Sequence, residues 1–278
     1  MQQKLEENGL SQLADSFLLA SGKRQVLCYK ADIEAAFRTP DFAGFQLLDL
    51  HDFPGQGTAL VGVLNPFWEE KPYVTAAEYR HFCDTTVLLA RMNKMIYLNN
   101  EELFFVPEVS HFGEFPITNQ NLKWKLARTD KTIVAEGNIN NRDFPVGLSR
   151  LDPIRFSLNT ISNSEKLILS LMLDSIENSW DIWVYPAKLP GNPKFKDVKV
   201  CQVFDEATRL FLEKGGNVLL TLKKGSIKPG WGGNIQTGFS SIFWNTSWTN
   251  GQPPFSLGIL CNPEHPALNK FPTEYHSN

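Results

Sequence analysis

Between Ile96 and Pro186 the chain reads as one short strand after another, and this run constrains the fold more than any other feature. In "LKWKLARTDKTIVAEGNI", Leu122, Trp124 and Leu126 alternate with Lys123, Lys125 and a final Arg128. A period of two places one set of side chains on a core and the other in water, the pattern of a half-buried strand. "MIYLNNEELFFVPEVSHFG", "IRFSLNTI", "KLILSLMLDS" and "SWDIWVYP" repeat the texture, separated by Asn, Asp, Gly and Pro. Five or more such strands in about ninety residues predict an antiparallel β-sandwich of immunoglobulin-like type. The Cys-Trp-Cys hallmark of antibody domains is absent, so the expectation concerns architecture alone.

The flanking regions have other periods. Leu10, Leu13, Phe17 and Leu18, then Ile33, Ala36 and Phe37, recur at helical spacing, with Ser21-Gly22 as an expected break and Thr39-Pro40 as the stop. "GFQLLDLHDFPGQGTALVG" then reads as a buried strand through Phe45, Leu47, Leu48 and Leu50, which runs into a polar Pro/Gly turn. "VTAAEYRHFCDTTVLLARM" reads as a helix, with Thr75 as N-cap, Glu78 completing a capping box, and Phe82, Val87, Leu88 and Leu89 toward a core. After the Pro/Gly/Lys linker "PAKLPGNPKFKD", the order "VKVCQV", "DEATRLFLEKGG", "NVLLTL" predicts strand, helix and strand, the start of a parallel α/β layer. The whole reads as three domains of a multidomain α/β plus all-β protein, at 1–95, 96–187 and 188–278.

Composition narrows the function. The net charge of −3 leaves no basic footprint for nucleic acid or an anionic membrane. No apolar run approaches the ~20 residues of a membrane helix. The charged, helical start lacks the parts of a signal peptide, so the chain as written would stay in the cytoplasm. Cys28, Cys83, Cys201 and Cys261 form no CxxC pair, which gives zinc and redox readings little support and predicts each thiol as a small hydrophobe in or near a core. No cofactor and no metal are expected.

Three stretches carry a family resemblance. "LCYKADIEAAFRTPDFAGFQLLDLHDFPGQGTALVGVLNPFW" resembles the last βα unit of the (β/α)8 barrel in glycoside hydrolase family 2-like (β-galactosidase-like) proteins of gut Bacteroidetes. "EVSHFGEFPITNQNLKWKL" is similar to the opening of the β-sandwich that follows that barrel, and "LGILCNPEHPALNKFPTEYHSN" to part of a later amidotransferase-like α/β region. The resemblance implies a partial (β/α)8 barrel end, then the sandwich, then an incomplete amidotransferase-like region. It implies a carbohydrate (glycan) substrate with β-glycosidic bonds, and a periplasmic or secreted parent enzyme. The family's catalytic carboxylates follow strands four and seven. Both would lie upstream of Met1, so no catalytic residue is expected here and the chain alone should be inactive. The other reading is a non-catalytic structural or carbohydrate-contacting module.

The family's final barrel strand lines the sugar subsite, which implies substrate contacts at Asp49, His51, Asp52 and Gln56, with Trp68 as a site wall. Two carboxylates on one strand end cannot flank a glycosidic bond, so Asp49 and Asp52 are candidates for sugar contact, and Asp49 equally for pinning a neighbouring strand. His51 has no second histidine at ligand spacing. "GWGG" at 230–233 lacks the Lys-Ser/Thr of a phosphate loop. Neither Cys201 nor Cys261 sits in a nucleophile elbow.

Overall fold

The computed structural model describes residues 2–48, 50–53, 61–188, 198–223, 225–228 and 259–276. It is mostly β-sheet with a few helices and divides into two compact units, Met1–Ala187 with Ile259–Asn278, and Lys188–Gly258.

The larger unit begins with α1 (Gln2–Glu7), a 3-10 turn (Ser11–Leu13), α2 (Ala14–Phe37) and α3 (Ala76–Arg80). Strands β1 (Thr86–Arg91), β2 (Ile96–Leu98), β3 (Glu102–His111), β4 (Ile117–Arg128), β5 (Ile133–Phe144), β6 (Gly147–Arg150), β7 (Ile154–Ser157), β8 (Glu165–Leu173) and β9 (Ile176–Tyr185) follow. They form two sheets. In one, β3 lies between β1 and β6 and also pairs with β7; the other runs β2-β9-β8-β4-β5. All pairings are antiparallel except β2 with β9, where Ile96 stands opposite Trp183 in parallel.

Alternation decides which residues meet between the sheets. Leu167, Leu169, Leu171 and Leu173 of β8 are buried, and so are Leu122 and Leu126 of β4, Trp180 and Ile182 of β9, and Phe105 and Val109 of β3. These close one core, the sandwich architecture that the period of two implies. The β8–β9 turn is Asp174-Ser175, with Asp174 at φ 52°, a left-handed backbone that Asp tolerates better than most residues.

The first ninety residues depart from expectation in three places. α2 runs unbroken through Ser21-Gly22. Glycine there is a packing device: a Cβ would stand 2.2 Å from Cε1 of Tyr73, so the helix can approach the ring only without a side chain. Residues 42–48 form no strand, and Phe45 and Leu48 are exposed. A strand needs a ladder partner, and beyond this stretch the described residues give only single bridges, His51 with Leu64 in parallel and Leu64 with Glu70 antiparallel. No (β/α)8 barrel is present among the described residues. The helix expected from Thr75 has its capping box but ends at Arg80, and Val87, Leu88 and Leu89 lie in β1. A contiguous apolar run fits a buried strand as well as a helix, and pairing with β3 decided it.

α2 joins the sandwich through buried polar groups. Glu34 is 3% exposed and accepts from Lys30 Nζ (2.5 Å), Arg38 Nη2 (2.7 Å), Asn178 Nδ2 (2.9 Å) and Trp180 Nε1 (3.0 Å). Val26, Ile33, Val63, Tyr73, Val74 and Phe82 make a second, smaller apolar cluster around the same helix.

In the smaller unit, β10 (Val198–Cys201) and β11 (Asn217–Leu220) pair in parallel, with α4 (Glu206–Glu213) between them in sequence. This is the strand–helix–strand order read from the sequence. Asp205 caps α4 by accepting from Thr208 N at 2.8 Å. All four cysteines are free and half-buried, and Cys83 packs against the smaller apolar cluster.

Candidate functional site

The expected site residues fall in three groups. Asp49 and Gln56 lie outside the described residues. His51 and Trp68 come together at the surface, and Asp52 turns inward beneath them.

Trp68 owes its position to a tight loop. Leu64 bridges Glu70, and between them Asn65 O accepts from Trp68 N (3.0 Å) while Asn65 N donates to Glu69 O (3.0 Å). The Asn65 side chain closes the turn from inside, its Oδ1 accepting from Phe67 N at 2.9 Å and Glu69 N at 3.0 Å. Trp68 takes φ 66°, a conformation that a large aromatic residue adopts at a cost of order 1 kcal/mol or more. The result is a ring that remains 62% exposed beside a still more open Phe67. The His51 imidazole packs against it, ring centroids 4.5 Å apart and tilted by 44°. His51 Nδ1 lies 2.6 Å from the carbonyl of Asp52. A carbonyl only accepts, so Nδ1 carries the hydrogen and the neutral ring keeps Nε2 as its acceptor.

Asp52 holds this arrangement from below. Only 4% of it is exposed, and Oδ1 accepts from Lys71 Nζ at 2.7 Å and Gly62 N at 3.0 Å. Lys71 also donates to Gly62 O at 2.7 Å, and Tyr73 Oη donates to the same oxygen at 3.2 Å. A Cβ on Gly62 would fall 2.3 Å from the His51 carbonyl carbon, so only glycine lets the two chain segments lie this close. Burial, then the Asp52 charge, then Tyr29 push the Tyr73 hydroxyl up to about 12, which keeps it a neutral donor. Chemically, the assembly offers an exposed indole, an imidazole acceptor and a rigid support.

Sequence reasoning missed Lys71, Gly62 and Tyr73. Lys71 sits in "EEKPY", where no period marks it, and its tie to Asp52 exists only once the loop has folded back. Among the described residues, no group of three or more His, Cys, Asp or Glu is placed to hold a metal ion. No helix among them is long and apolar enough to cross a membrane.

Two family models match the chain in part. Residues 101–186 match a family described as a domain of unknown function (DUF8488), and residues 199–278 match another (DUF8487). Comparison with curated proteins gives no match. Similar solved structures include the CARDB domain of a Pyrococcus furiosus protein, at 9% identity and TM-score 0.30, covering 36% of this chain and 94% of that one. A Parabacteroides merdae β-glucuronidase aligns at 11% identity and TM-score 0.26, over 36% of this chain and 13% of its own. A Listeria innocua β-glucosidase aligns at 8% identity and TM-score 0.29, over 37% and 16%. At TM-scores this low the likeness carries no argument.

Proposed function

We propose that this chain is the carbohydrate-contacting, non-catalytic portion of a glycoside hydrolase family 2-like protein acting on β-linked glycans. In this reading residues 1–95 belong to the end of a glycosidase barrel, and residues 96–187 form an immunoglobulin-like sandwich. The layer at 198–220 opens an amidotransferase-like α/β region. The observation that carries the reading is the exposed Trp68 ring, held in a left-handed turn and backed by His51. An apolar sugar face packs on such a ring, and the His51 Nε2 acceptor beside it suits a hydroxyl. Asp52 serves as a positioning residue, since its carboxylate is committed to Lys71 and Gly62. Asp49 and Gln56 complete the contact set on the sequence resemblance alone. Phe42, Phe45, Leu48 and Phe53 are all exposed, which supports packing of this segment against another element of the parent protein.

Affinity electrophoresis of the whole chain through gels containing β-linked polysaccharides tests the proposal. Retardation by at least one glycan is expected, weakened about tenfold by Trp68→Ala, since ~1.4 kcal/mol of lost stacking is a factor of ten. Equal mobility in every gel, or retardation indifferent to Trp68→Ala, would overturn it.

A further inference from the structure

We infer that the cleft between residues 263–274 and the adjoining ends of β4, β8 and β9 is a second binding site, one that takes a neutral, polyhydroxylated ligand of mono- or disaccharide size. It is separate in sequence and in lining from the His51–Trp68 surface and stands on its own geometry.

The cleft is open to solvent and has a volume of about 450 Å³, within the ~300–1,000 Å³ of small-molecule sites. Its walls are fastened. Lys166 Nζ bonds to Glu274 and, at 3.0 Å, to Asp181, and the rings of Phe271 and Tyr185 stack with centroids 5.3 Å apart. Cys261 N donates to Tyr275 O at 3.0 Å and closes the segment on itself. The loop in between is stiffened where His265 Nδ1 accepts from Ala267 N at 3.1 Å.

The charge of the lining selects the ligand class. Arg128, Lys166 and Lys270 face Asp130, Glu165 and Glu274, three cations against three carboxylates. An anion would meet the carboxylates and a cation the basic groups, so neither gains a net field. A neutral molecule that both donates and accepts can use both signs. Arg128 commits Nε to Glu165 at 2.8 Å, and its fork has further N–H donors beyond that bond. Thr129, Ser164, Asn269 and Thr273 add hydroxyl and amide groups of both kinds. The half-exposed Phe271 ring and Leu268 supply an apolar wall for the C–H face of a sugar ring.

Isothermal titration of the whole chain with glucose, galactose, lactose, cellobiose and myo-inositol tests this, alongside phosphate, citrate and spermidine as charged probes. Saturable binding of at least one neutral probe is expected, weakened about fivefold or more by Phe271→Ala and by Asn269→Ala, a loss of ~1 kcal/mol. Both side chains are exposed, and near-ultraviolet circular dichroism should confirm that each variant stays folded. In Trp68→Ala, the part of the binding that depends on Phe271 and Asn269 should remain. Binding lost in Trp68→Ala but kept in Phe271→Ala would overturn this inference while leaving the other site intact. Binding of a charged probe alone, or of no probe, would also overturn it.

Discussion

Replacing Glu34 with alanine should be among the most damaging single changes to the larger unit. Its carboxylate is the common acceptor for Lys30, Arg38, Asn178 and Trp180, which come from α2 and β9. Without it the Trp180 indole N–H and the Asn178 amide each lose an acceptor inside the protein. Lys30 loses its counterion where burial already pulls its pKa below the ordinary lysine value and Glu34 is the largest force opposing that pull. Breaking a buried pair by removing one partner costs about 3–5 kcal/mol, a large share of the ~5–15 kcal/mol by which domains are stable. Glu34→Gln keeps an oxygen for Trp180 and Asn178 and loses only the charge, so it should cost less than alanine. Urea unfolding followed by tryptophan fluorescence gives the loss, and amide exchange across residues 26–37 shows whether α2 has come away. A loss under ~1 kcal/mol for Glu34→Ala, with exchange in α2 unchanged, would refute the view that this carboxylate joins helix to sandwich.

Two further outcomes follow from the packing around Tyr73. Gly22→Ala in a free helix would gain about 1 kcal/mol, but here the added methyl meets the Tyr73 ring, and overpacking of ~1–3 kcal/mol should make the protein less stable. In a Tyr73→Ala background the same substitution should become stabilising; equal effects in both backgrounds, read by thermal melts, would show that the contact does not decide it. The Tyr73 hydroxyl, raised to about 12 in the folded protein, stays protonated while an unfolded tyrosine ionises near pH ~10. The unfolded state then holds fewer protons, so the stabilisation is complete below pH ~10 and is lost as pH rises toward 12. Tyr73→Phe should flatten that alkaline decline in urea midpoints, and an unchanged slope would remove Tyr73 from its cause.

How much of this was legible in sequence depended on whether the governing contact was local. The alternation of Leu167, Leu169, Leu171 and Leu173 fixed the inner face of β8, because a period of two needs no distant information. The Thr75–Glu78 capping box was readable for the same reason. Residues 42–48 have strand-like composition but gain no ladder, and β1 looks helical until β3 is beside it. Gly22 reads as a helix breaker only while Tyr73, fifty-one residues later, is ignored. At the candidate site, His51 and Trp68 were named from the resemblance. The Lys71 support for Asp52 and the Glu274 tie to Lys166, 108 residues apart, belong to tertiary structure alone.

The central claim is that Trp68 is a sugar platform, and the indole Nε1–H resonances of the intact chain test it most directly. They should be followed during titration with the glycan that retards the protein most in affinity gels. The account predicts a saturable shift of the Trp68 resonance, assigned through Trp68→Phe, while Trp180, whose indole hydrogen bonds to Glu34 in the interior, stays in place. A Trp68 resonance that does not move while the glycan binds would contradict it.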